Sequence, residues 1–175
     1  MDFGHLPPPW RFSRLVLRSP HFARIRERLE FVRQFFPEIE ALSIRVGLVR
    51  RRGIRGWGSL DPGDPGVWVR PRRLDAFTIA HEFTHLLQAR GLVPRGERAC
   101  DLFALGRSPL LVDHPPGYLR LPWDLRRRRR LDPAHGKLLH AAARRALQAR
   151  SRGDRRYIQR FERDIAQRFD GPVGP

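Results

Sequence analysis

At 175 residues and 41% hydrophobic, the chain has room for one globular domain with a full core and a small appendage, and no apolar run approaches a membrane span. Cys100, the single cysteine, excludes an internal disulfide framework and fits a reducing compartment. The formal net charge of +17 attracts polyanions and makes DNA or RNA a candidate partner, although the basic residues are all arginine except Lys137, as a GC-rich genome gives without any selected ligand.

The chain opens on "MDFGHLPPPWRF", which has an acid at its second position and no apolar core of the secretory kind. A cytoplasmic protein without membrane contact is expected. "HFARIRERLEFVRQFFP" spaces Phe22, Ile25, Leu29, Val32 and Phe36 by threes and fours, which predicts an amphipathic helix ended by Pro37. "LSIRVGLVR" alternates, with Leu42, Ile44, Val46 and Leu48 on one side, and reads as a half-buried strand. A second, Gly-weakened strand is expected in "GIRGWGSL", a turn in "DPGDPG", and a third strand in "VWVR", which Pro71 directs to a sheet edge. From about Arg73 to Arg90 the pattern is helical and apolar almost all round, so this helix belongs in the middle of a domain, with Gly91 just past its end. Another helix is expected from near Arg95 through "GERACDLFALG", and then a loop rich in proline. Composition shifts at "DLRRRRRLDP", so a first domain is read over 1–125 and a basic helical extension over 126–175. The extension carries two helices, the second capped by Asp154, and the tail "DGPVGP" is expected to fray.

The chemistry centres on "TIAHEFTHLL". His81 and His85 stand at i and i+4, so a helix projects both from one face, a turn apart, where both can hold one Zn²⁺. Glu82 follows the first histidine directly, where its carboxylate can take a proton from a water that the metal has acidified. The bland alternative is a pair of idle core histidines. Two buried imidazoles flanking a buried glutamate would be costly without a metal or another partner.

With Thr78 opening it and apolar residues around it, the stretch resembles the extended zinc-binding motif of the zincin metallopeptidases. The third histidine of metzincins would fall six residues after His85, where this chain has Gly91. "GERACD" instead resembles the second ligand helix of gluzincins. That resemblance implies Glu97 as third ligand, with Asp101 as its supporting acid, aimed at His81. "EFTHLLQARGLVPRGERACDLFA" is close in spacing to the ImmA/IrrE-like peptidases, whereas the three strands before the helix resemble SprT-like zincins. The implied fold is α+β and zincin-like. It has an N-terminal helix, a small three-stranded and mostly antiparallel sheet, an active-site helix, a ligand helix and basic C-terminal helices.

Other candidates are weighed against plain packing. Glu97 would also suit a first-turn glutamate favoured by the helix dipole, and Asp101 a capping residue. Cys100 could reach the metal three residues after Glu97, but an inert buried thiol is the expectation. His114 and Tyr118 in "DHPPGY" are candidates for stabilising the oxyanion of the reaction. Trp68 is a candidate substrate contact if "VWVR" pairs with an extended peptide, and core packing suits it equally. His5, His21, His135 and His140 are read as surface or packing residues. The Arg126–Arg130 run lacks interleaved aromatics for stacking on bases.

The function expected is that of a zinc-dependent metallopeptidase hydrolysing a polypeptide substrate, with Glu82 as general base. The alternative is a nucleic-acid-associated or regulatory zincin-fold protein, either processing DNA-linked proteins in the SprT-like manner or binding a partner without catalysis.

Overall fold

A computed structural model describes residues 9–49 and 56–169, and among the described residues the chain is α+β, with seven α-helices and a small mixed sheet. His5, the start of "GIRGWGSL" and the "DGPVGP" tail lie outside the described residues. The described residues form two compact units, one from those up to Leu74 together with Thr78–Val93, the other from Asp75–Phe77 together with those from Pro94 on.

The first unit carries the sheet. Its strands are β1 (Trp10–Phe12), β2 (Ile44–Leu48), β3 (Gly56–Gly58) and β4 (Gly66–Val69), in the order β1-β2-β4-β3. β1 and β4 both run parallel to β2, and only β3 is antiparallel to its neighbour β4. The expected three-stranded, mostly antiparallel sheet is therefore corrected in strand count and orientation. "DPGDPG" does close a β3–β4 hairpin, with Asp61 Oδ1 accepting the amide of Gly63 at 2.9 Å. β2 pairs with the far arm of that hairpin, which places β4 inside the sheet. "VWVR" is thus an inner strand, and the edge beside it belongs to β3. Alternation holds: Ile44, Val46, Val67 and Val69 are buried on one face, while Arg45 is exposed on the other.

Between β1 and β2 run α1 (Arg14–Leu17) and α2 (Phe22–Arg33), and α2 buries Ile25, Leu29 and Val32 on the expected stripe. Phe36 follows and meets Phe83 edge-on, with ring centroids 5.5 Å apart, and Trp10 stacks on the same ring at 6.1 Å. Phe83 belongs to α3 (Ala76–Ala89), the helix of the histidine motif, which is buried on almost every side. Gly91 ends it at φ +71°, and Leu92 donates to the carbonyl of Leu87 at 2.9 Å to satisfy the last turn.

The second unit is helical: α4 (Glu97–Leu105), a 3₁₀ turn at Pro109–Leu111, α5 (Trp123–Arg126), α6 (Pro133–Ser151) and α7 (Tyr157–Phe169). Asp132 caps α6 by accepting the amide of His135 at 2.9 Å, and that bond with the His135 side chain holds its carboxyl below the usual range. α6 packs on α4 and α7 through Leu139, Ala142, Ala143 and Ala146 from its own side and Phe161 and Ile165 from α7. Asp164 joins α7 to Arg145 of α6 at 2.6 Å and to Arg168 at 2.9 Å. Partial burial would raise its carboxyl, but these two hydrogen bonds outweigh it and hold the group below the usual carboxylate range. Among the described residues no helix is long and apolar enough to cross a membrane.

Candidate metal centre

α3 is an apolar helix that nevertheless buries His81, Glu82, Thr84 and Gln88. Buried polar groups need partners, so each one asks what it serves. Thr84 is satisfied locally, its hydroxyl donating to the carbonyl of Ala80 at 2.8 Å. The imidazoles of His81 and His85 meet edge to face, with centroids 4.8 Å apart and planes at 84°.

His81, His85 and Cys100 form a group whose ligand atoms all lie within 4.8 Å of one another, and it can hold a metal ion. His81 and Cys100 are buried and His85 is half-buried. Two imidazoles and a thiol are nitrogen and sulfur donors, a set suited to a borderline or soft divalent cation rather than Mg²⁺ or Ca²⁺.

Gln88, which the sequence reading passed over, orients one of the candidate ligands. Its Oε1 lies 2.8 Å from Nδ1 of His85. An amide oxygen can only accept, so Nδ1 carries the proton and Nε2 keeps its lone pair for the metal. Gln88→Leu is expected to weaken metal binding about 10–100-fold with the fold intact, read by competition against a chelator. An unchanged affinity would remove Gln88 from this role. The available signal was a glutamine three residues after a ligand histidine on the same helix face.

A second feature was visible only as "GWG". Gly56 and Gly58 face α3, and their missing side chains let β3 lie directly on it. A Cβ on Gly56 would sit 2.6 Å from Oε1 of Glu82, and one on Gly58 would sit 2.5 Å from the Glu82 carbonyl oxygen and 2.8 Å from Cβ of His85. Both are closer than real contacts allow.

The remaining candidates are placed as follows. Glu97 is the first residue of α4 and is exposed, whereas Cys100, one turn on, is buried. Asp101 is buried, and its Oδ2 accepts the backbone amide of Tyr118 at 2.7 Å. That bond fixes the loop in which the Tyr118 side chain stays exposed. His114 is half-buried, with Nδ1 2.8 Å from the carbonyl oxygen of Pro115. Asp113 beside it has a role the sequence did not suggest: its two carboxylate oxygens accept the amides of Ala76 and Phe77 at 2.9 and 3.0 Å, capping α3 from 37 and 36 residues away. Trp68 pairs in register with Trp57, on the sheet face opposite Gly56 and Gly58, and the structure does not bring it to the histidines. Of the other histidines, His140 hydrogen-bonds the carbonyl of Leu105 and His135 pairs with Asp132.

Compared with known proteins, the chain matches no family model, no curated protein and no solved structure.

Proposed function

We propose that the protein is a zinc-dependent metallopeptidase of zincin-like build. The observation that carries this reading is a buried glutamate set directly beside a buried imidazole in a group able to hold a metal, on one helix. A carboxylate buried beside that group, under the side-chain-free face of β3, suits a base that acts on a bound water. Zinc would suit these donors, and His81, His85 and one further ligand would hold it with a position left for substrate.

When bound, the metal supplies Lewis acidity, polarising a peptide carbonyl and bringing water close to hydroxide near neutral pH. Glu82 takes the proton of the attacking water and returns it to the departing amine nitrogen, so that one carboxylate serves as base and then as acid. His85 is held in one tautomer by Gln88. The substrate is a polypeptide, and a cytoplasmic setting fits the reduced state that Cys100 needs as a ligand.

For the third ligand we place Cys100 ahead of Glu97, because Cys100 is buried within the group and Glu97 is exposed. Cobalt-substituted protein is expected to show a thiolate-to-metal charge-transfer band that disappears in Cys100→Ser and survives in Glu97→Gln. A spectrum without that band, together with metal loss in Glu97→Gln, would return the role to Glu97. The function itself is tested on an unfolded protein substrate. Cleavage should stop on chelation and return with added zinc, and cleavage indifferent to chelation would defeat the proposal.

A further inference from the structure

The sheet face turned away from α3 has a composition that metal chemistry does not account for. Strand pairing sets Arg11 beside Arg45, Gly47 beside Trp68, and Trp68 beside Trp57, all on that face. The two indoles are in contact, with ring centroids 4.3 Å apart and planes at 55°, and the Arg45 guanidinium lies 5.2 Å from the Trp68 ring. Trp57 remains 53% exposed. Glycines make the arrangement possible. A Cβ on Gly66 would come within 2.8 Å of the Trp68 ring, and one on Gly47 would also collide with it, so the indole lies down across the neighbouring backbone instead of standing up from it. Asp64 accepts from Arg11 at 3.1 Å and from Arg45 at 2.6 Å, which holds two half-exposed guanidinium groups at the edge of the aromatic surface.

An indole left in solvent on a sheet gains little from folding, and it offers a flat π-face to a ligand. Cations fixed beside a π-face suit a flat ring joined to an anion. A nucleotide strand has that chemistry repeated along its length, and the +17 net charge attracts its backbone. The strand must be single, because the faces of duplex bases are already covered by their neighbours. The arginine run at 126–130 supplies charge without stacking, and this face supplies the stacking that the run lacks.

We propose that the outer face of the sheet binds single-stranded nucleic acid, with Trp57 stacking on a base and Arg45 and Arg11 turned to the phosphates. The site is independent of the metallopeptidase reading, since none of its residues belongs to the metal group. The test is fluorescence anisotropy of a labelled oligothymidine, about 16 nucleotides long to span one binding surface, with full-length protein. Oligothymidine should bind more tightly than a duplex of equal length at the same salt. Trp57→Ala should weaken the single strand about tenfold or more and leave the duplex unchanged. Trp57→Phe should recover most of the loss, and His85→Ala should bind as wild type does. Should Trp57→Ala misfold, Arg45→Glu takes its place, with the same selective loss expected. Equal binding of single strand and duplex, both indifferent to Trp57, would reduce the effect to net charge and overturn the proposal. So would capture of anionic vesicles with no binding of oligothymidine.

Discussion

Glu82→Gln is expected to abolish peptide hydrolysis while the metal stays in place. Glutamine keeps the size and most of the hydrogen bonding of glutamate but cannot accept a proton, so the substitution removes the base and little else. Losing a positioned general base lowers the rate by about 10²–10⁴-fold. Because Glu82 is buried on α3, its replacement by a neutral isostere should leave the fold intact. Cleavage of an unfolded substrate and metal content are to be measured on the same preparation. Activity within a few-fold of wild type, with metal retained, would show that Glu82 is not the base.

The second large effect comes from adding one methyl group at two neighbouring glycines. At Gly56 the added atom meets Oε1, Cγ and Cδ of Glu82, the mobile end of a side chain, which can swing away. Gly56→Ala should therefore keep the fold and the metal and lose most of the activity, because the carboxylate proposed as the base is pushed out of its place. At Gly58 the added atom meets the backbone carbonyl of Glu82 and Cβ of His85, neither of which moves without the helix. Gly58→Ala should thus lose stability, by about 1–3 kcal/mol as overpacking does, and metal affinity with it. Thermal midpoints and chelator competition separate the two variants. If both behave alike, β3 does not lie on α3 as described.

Much of the fold was legible because periodicity reports burial. The α2 stripe, the β2 alternation, the all-round apolar α3 and the cap at Gly91 each rest on residues close in sequence. Strand pairing is not local in that way. Trp10–Phe12 is too short to show a two-residue period, and β4 pairs with β2 across the hairpin arm that lies between them in the chain. The edge position consequently passed from "VWVR" to "GWG". At the site, the spacing of His81, Glu82 and His85 could be read directly from the helix. Asp113 could not, because a cap donated from 36 residues away leaves no mark in sequence spacing. The choice between Cys100 and Glu97 as third ligand was not legible, because both residue types bind metals and one helical turn separates them. That Cys100 is buried and Glu97 exposed is a difference the spacing does not carry.

Metal analysis of the purified chain, wild type beside His85→Ala, bears most directly on the central claim. The account predicts about one zinc per chain in the wild type, the stoichiometry of a single three-ligand site, and only trace metal in the variant. Wild-type protein that holds no more than trace zinc after incubation with the metal would contradict it.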